Sequence, residues 1–496
     1  MKSDVIVREG KSLTVSIYRY FSTESEKYPH TAENAYDHSM AQLTKRVKAG
    51  YGIGDLGGNL FFTMTGFYLL FYLTDVVGMA AGLAGTALMV GKVWDAVTDP
   101  AVGFLSDRTD TRFGRRRPWL FIGAWLTLGS MVLMFAAPPP VVAASAGALF
   151  AWIVLANCLL NTGYTFINIP YGAMTPDLTD DFHERTVVNG WRMSFAVVGT
   201  FVGAGLVLPL VDAFGGGTAG WTGMAGVIGL IIAGTTLIVV FTVQEKPRGN
   251  VPPSGNILKS YMEVLALRPF QLAIIPWTLH ITGVNILQAA LLYYFRFIYG
   301  DAGAFQIALP ILLASAILCI PLWVRISRSI GKRASYNIGM GIFAASVLVF
   351  FAVGHLGGPV IAYIIMAVAG TGFATQYVMP FAIVPDVVEY DYAQNGVRRE
   401  GVFYGMWTFL SKIGQAAGLA LNGIVLSVFG YREAVAGVAA QQPESALIGI
   451  RLISGPIPAL FFILGILVLR KYPITNEYYR EIQEKIRRME ESPEPK

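Results

Sequence analysis

Twelve apolar segments, each long enough to cross a bilayer, recur along the 496 residues. They run over roughly 49–74, 80–106, 118–138, 145–174, 187–211, 221–243, 270–296, 303–326, 334–354, 358–385, 401–430 and 446–471. The charge of the links between them alternates. After the second segment come Arg108, Arg112, Arg115, Arg116 and Arg117; after the fourth, Arg185. After the sixth come Lys246, Arg248, Lys259 and Arg268; after the eighth, Arg325, Arg328, Lys332 and Arg333; after the tenth, Arg398 and Arg399. The links on the other side hold only Arg432. A wrong segment count would scramble this alternation. Basic links stay in the cytoplasm, so both termini are expected there.

Composition agrees with an all-α polytopic membrane protein. Charged residues make up 14% of the chain, against about 25% in soluble domains. The pattern "EKPRGNVPPSGN" marks a connector over 244–269. It separates a six-helix half, 49–243, from a second, 270–471. The halves echo each other: "PAVGFLSDRTDTRFGRRR" follows the second segment and "PLWVRISRSIGKR" the eighth. Duplicated six-helix units are common in secondary transporters. Residues 1–48 are a polar extension, and 472–496 a charged, solvated tail. No secretory signal opens the chain, so the first span is expected to direct insertion. Met40, which opens "MAQLTKRVKAGYG", is an alternative start. Cys158 and Cys319 have neither disulfide nor metal-ligand spacing.

The second segment breaks the apolar rule. Its "GKVWDAVTDP" carries Lys92, Asp95 and Asp99. Each such residue costs roughly 2.5 kcal/mol or more at the bilayer centre. Four residues apart, the two acids share one helix face. Asp95 lies about 22 Å along the helix. Two bare carboxylates there would repel, and one would take up a proton. A shared proton or a bound Na⁺ resolves this, with Thr98 adding a hydroxyl or carbonyl oxygen. Lys92 is a stand-in charge for the empty site; the plainer reading is a buried Lys92–Asp ion pair.

"GFLSDRTDTRFGRRR" resembles the signature between the second and third helices of the major facilitator superfamily. "YGIGDLGGNLFF", "YLTDVVGM", "WDAVTDP", "YTFINIPYGAMTPDL", "PDVVEYD" and "RREGVFYGMWTFLSK" resemble its glycoside–pentoside–hexuronide:cation symporter family, that of the melibiose permease. The resemblance runs from about Tyr51 to the end of the twelfth span. It implies a major facilitator fold of two six-helix halves and a cation site at Asp95 and Asp99, with Thr98 and Thr165. The coupling ion would be Na⁺ or H⁺, with no other cofactor and no further metal.

For substrate the resemblance points to Asn59, Tyr164, Asn168, Arg192, Gln376, Tyr377, Thr408 and Lys412. Asn59 and Asn168 stand where the family has acids, and Gly172 where it has a sugar-stacking Trp. Those departures weaken a galactoside assignment. Lys412 lies about 16 Å into its helix, deep enough to approach Asp95 or Asp99. Arg192 is only about one turn in, where it could snorkel instead. A lone helical histidine, His280, reads as packing. Asp55 reads as a gating or interfacial residue.

Asp107 and Arg108 are expected to steady the outward-facing state. Asp386, Glu389, Arg398 and Glu400 are expected to form a cytoplasmic gate by pairing with Arg185 or Arg328, closed only when the substrate site faces out. The resulting expectation is a monomeric, cation-coupled symporter of a sugar, glycoside or uronic acid, multi-pass in the cell membrane. It would work in a lipid bilayer, with a carbohydrate substrate and no nucleic acid. The alternative is a lysolipid or amphiphile carrier, as in a distant animal branch of the family. No G-x-x-x-x-G-K-[ST] phosphate loop supports an ATP-driven pump, and no nucleophile–base pair an enzyme.

Overall fold

The computed structural model describes residues 43–491 except 137, 139, 141–144, 180–181, 246–256, 398 and 435–439. Among these residues the chain is helical almost throughout. The first half comprises α1 (Lys45–Gly52), α2 (Gly54–Asp75), α3 (Ala81–Arg108), α4 (Arg117–Phe135), α5 (Ala146–Leu178), α6 (Phe182–Ala213) and α7 (Gly217–Thr242). A short helix, α8 (Ile257–Ala266), lies in the connecting stretch. The second half comprises α9 (Arg268–Tyr293), α10 (Phe305–Ile330), α11 (Lys332–Val353), α12 (Gly358–Asn395), α13 (Glu400–Val428), α14 (Glu444–Ile453) and α15 (Pro456–Leu469). A terminal helix, α16 (Asn476–Glu491), follows.

Eleven helical stretches among the described residues are long and apolar enough to cross a bilayer. With 28 residues, α3 is the twelfth by length. Its ionisable side chains are what set it apart from the rest. Pairs α1–α2 and α14–α15 each make a single span, so twelve spans result. Several helices outrun their apolar cores. The longest, α12, has 38 residues and continues ten residues past 385 despite Pro380 and Pro385. It ends where Gly396 takes a positive φ of 66°, a left-handed cap that glycine adopts without strain.

The halves meet most closely along α3 and α13. A Cβ at Gly85 would lie 2.9 Å from the Gly423 Cα, so only glycines allow this approach. Here the two halves are stitched together at the end away from the basic links. Thr74 and Tyr293 hydroxyls are 2.7 Å apart, and Tyr431 donates to Asp75 at 2.7 Å. Glu433 accepts from the Ala81 amide at 2.8 Å, capping α3. Phe67 and Phe305 add ring contact at 5.7 Å.

The basic end is built differently. Glu245, just beyond α7, accepts from the amides of Arg115, Arg116 and Arg117 at 2.8–2.9 Å. These are free N–H groups at the start of α4, where a carboxylate is favoured. Lys48 pairs with Glu184 at 2.8 Å, and both belong to the first half.

Candidate functional site at the interface of the halves

Asp95 and Asp99 lie on one face of α3, and both are buried. Gly91 lets α5 come close: a Cβ there would collide with the Asn157 amide. That approach brings Thr165 of α5 onto the acids. Its hydroxyl is 2.9 Å from Asp95 Oδ1 and 3.2 Å from Asp99 Oδ1. From the other half, Lys412 of α13 places its ammonium 2.9 Å from Asp95 Oδ2 and 2.5 Å from Asp99 Oδ2. One monocation thus bridges two carboxylates at the centre of the molecule, only 8% exposed. Removing either partner would leave an uncompensated buried charge.

The plainer reading of Lys92, an ion pair with Asp95, is present: its ammonium is 3.7 Å from Asp95 Oδ2 and lies over the Phe62 ring at 5.6 Å. It precedes Asp95 by three residues, and Lys412 approaches from across the interface and takes the near position. The Thr98 hydroxyl does not itself bond a carboxylate. It donates to the Asp95 carbonyl of its own helix at 3.3 Å, the usual local bond of a helical threonine.

A second ionic cluster lies within the first half. Arg192 Nε of α6 is 2.6 Å from Asp55 Oδ2, and its Nη1 donates to Thr175 at 3.1 Å. Tyr171 places its hydroxyl 2.6 Å from the same carboxylate oxygen. The guanidinium also lies 4.9 Å from the Tyr171 ring centre. Arg192 therefore does not snorkel, because a part-buried carboxylate holds it more strongly than the interface could. Sequence reasoning missed this pair, whose members are 137 residues apart.

The other residues of the expected substrate set disperse. Asn59 donates to the Asp55 carbonyl at 2.9 Å, and with Tyr377 it lines a cavity of about 120 Å³. Tyr164 stacks on Phe61 with centroids 4.1 Å apart, its hydroxyl 3.5 Å from Asn168 Oδ1. Nothing lies within 4 Å of where a Gly172 side chain would begin. Thr408 is exposed on α13. Gln376 is buried in the second half, accepting from Tyr336 at 2.8 Å. Tyr336 is in turn 2.8 Å from His280 Nδ1, while His280 Nε2 lies 3.2 Å from the Phe462 carbonyl. This network holds α9, α11, α12 and α15 together inside one half.

At the basic end, the expected cross-pairing gives way to partners nearer at hand. Asp386 takes Lys332 of α11 at 2.7 Å, in place of Arg185 or Arg328. Glu389 accepts from Gln483 of α16 at 2.5 Å. Arg185 Nε donates to the Thr179 carbonyl at 2.9 Å. Asp107 pairs with Arg116 at 3.1 Å, and Arg108 lies 3.5 Å over Phe104. Glu400 begins α13, and Arg398 lies outside the described residues. An unforeseen clamp forms at Arg399, which bonds Asp391 and Glu263 at 2.7 Å each. Hydrogen bonding to Asp391 raises the basicity of its guanidinium. The clamp ties α8 to the end of α12.

Two helical halves, with a buried ionic site shared between them, define a secondary transporter of the major facilitator fold. The chain belongs to the MFS/sugar transport protein family, which matches residues 50–476. It is 30% identical over 447 residues to the putative glycoside/cation symporter YagG of Escherichia coli, covering 88% of this chain and 94% of that one. It is 25% identical over 472 residues to the sodium-dependent lysophosphatidylcholine symporter 1-A of Danio rerio, covering 88% and 87%. The fold resembles the crystal structure of a bacterial homologue of the human lysosomal transporter Spinster. That match has a TM-score of 0.62 at 14% identity, over 87% of this chain and 98% of that one. The protein is a membrane transporter, not an enzyme.

Proposed function

We propose that the protein is a cation-coupled symporter of a sugar, glycoside or uronic acid in the cell membrane. The observation that carries this reading is the Lys412 ammonium between Asp95 and Asp99. A monovalent cation fits there, since a charged group of that sign already bridges the two carboxylates. Hard oxygen donors suit an alkali cation, and Thr165 supplies a third ligand oxygen.

Lys412 belongs to one half and the two acids to the other. A cation that takes the carboxylates releases Lys412 and weakens the tie between α3 and α13. Cation binding and halves-rocking are then the same event, and cation and solute affinities rise together by equal factors. The basic end faces the cytoplasm by charge bias. With the opposite end stitched shut by Thr74, Asp75, Tyr293 and Tyr431, this conformation is inward-facing. In the outward-facing state Asp386 and Glu389 exchange their local partners and, with Arg398 and Glu400, form a cytoplasmic gate.

A second reading, an amphiphile carrier, has one feature in its favour. An apolar groove of about 530 Å³ runs between α3 and α5, lined by Trp94, Phe150 and Leu155. The groove is separate from the ionic site, and the cavities beside that site are small. We therefore favour the carbohydrate.

The test is uptake into proteoliposomes across a sugar panel under imposed Na⁺ or proton gradients. A sugar should accumulate with one gradient, and Asp95→Asn or Asp99→Asn should lower that uptake by about a hundredfold. Gradient-dependent uptake unaltered in both variants would remove the coupling assignment.

A further inference from the structure

On the far side of the ionic site is a cavity of about 250 Å³ between the halves. Its polar wall is made by Lys92, Asn157, Asn161, Asn285, Gln288 and Gln415, from α3, α5, α9 and α13. Leu69, Leu88 and Leu419 close it on the other sides. In a bilayer core, polar side chains without partners are costly and are kept where a ligand or water meets them. Asn157 and Asn161 are partly spent, since Asn161 donates to Asn157 at 2.9 Å. Asn285 donates only to the Ile281 carbonyl of its own helix, at 2.9 Å, which leaves its amide oxygen for the cavity. The Lys92 ammonium pairs with Asp95 at 3.7 Å, a looser contact than those of Lys412, and it also borders the cavity.

Charge balance gives this wall its meaning. Asp95 and Asp99 face Lys92 and Lys412, two charges of each sign. A coupling cation added to that set leaves one positive charge in excess. An uncompensated charge at this depth opposes the movement of the halves. An anionic ligand restores balance, and then only the empty and the doubly loaded carrier are neutral.

We propose that this cavity is the acidic-solute subsite: Lys92 receives a carboxylate, and the surrounding carboxamides receive hydroxyl groups. The solute is thus a sugar acid and not a neutral sugar. The assignment rests on the symporter reading above. It also gives tight coupling an electrostatic cause, because a cation or an anion alone leaves the centre charged.

The experiment is calorimetric titration of the full-length protein in micelles, at saturating Na⁺, with D-glucuronate and with D-glucose. Wild type should bind glucuronate at least about tenfold more tightly than glucose. Lys92→Gln should remove that preference, and Lys92→Arg should retain it. Gln415→Leu should weaken both sugars, since it deletes a hydroxyl partner and keeps the charge. Proteoliposomes should show glucuronate–Na⁺ uptake that does not respond to an imposed potential. Glucose bound as tightly as glucuronate, or a preference intact in Lys92→Gln, overturns the subsite and leaves the symporter reading standing. Failure to bind or carry any sugar under either gradient overturns both.

Discussion

Two ionic clusters, one part-buried and one buried, differ in whom they join. Asp55, Arg192 and Tyr171 all belong to the first half. Asp95 and Asp99 belong to that half too, but their counter-ion Lys412 comes from the second. A pair inside one half moves with it as a body and can be permanent. A pair across the interface must be broken or relaxed whenever the halves rock, so its strength is a barrier that a ligand can remove. The first cluster is therefore read as scaffold and the second as switch. The same contrast marks the two ends of the molecule. The far end is stitched across the halves by Thr74–Tyr293 and Asp75–Tyr431. At the basic end, Lys332–Asp386 and Arg399–Asp391 each stay within the second half.

Three substitutions press on this contrast. The largest effect is expected at the scaffold cluster. Arg192→Gln leaves the part-buried Asp55 without its cation, at a cost of about 1–3 kcal/mol. Thermal unfolding in detergent should show the loss, and Na⁺ affinity in the protein that remains folded should be near wild type. A stable variant with altered Na⁺ binding would reverse the roles of the two clusters.

A smaller and opposite effect is expected at the switch. Lys412→Gln removes the competitor for the two carboxylates, so Na⁺ should bind about tenfold more tightly by calorimetry. Uptake should nonetheless fall, because the empty carrier returns with one negative charge uncompensated. Unchanged Na⁺ affinity would mean that Lys412 and the cation do not compete.

The smallest effect is expected at the far-end seam. Gly423→Leu drives a side chain toward the Ala81 carbonyl, where even a Cβ would be only 2.5 Å away. The seam should open and the population shift toward the outward-facing form. Labelling of Asn285→Cys by a membrane-impermeant maleimide from the far face should rise roughly fivefold. No change would place the opening seam elsewhere than α3–α13.

How much of this was legible beforehand depends on the range of the interaction. The shared face of Asp95 and Asp99 follows from a spacing of four on a helix, a purely local rule. The spans follow from runs of apolar residues, and α3 could be counted among them in spite of its charges. Helix ends were less legible: α12 carries "PDVVEYDYAQN" as helix beyond its apolar part, because neighbours pack against that extension and α16 covers it. Partner choice was least legible. Lys332 for Asp386, Glu263 for Arg399 and Glu245 for the start of α4 all depend on which loops fold against one another. The far cavity left no sequence signal, since its carboxamides are scattered over three helices and no two make a motif.

Taken by itself, the sequence determined that this chain lives in a bilayer, that it crosses about twelve times, and that one helix carries a pair of acids needing a cation. Those properties rest on hydrophobic run length, charge bias and helical period, each readable within a few turns of chain. The tertiary structure decided which cation-bearing side chain meets the acids. Lys412 and Asp99 are 313 residues apart, and only the packing of α3 against α13 at Gly85 and Gly423 brings them within 2.5 Å. It also sent Lys92 toward the cavity, Arg192 to Asp55 and Gln376 into the second half. A side chain's reach is a few ångströms, so its partner is set by where the backbones pass, and in this protein that is where the two halves meet.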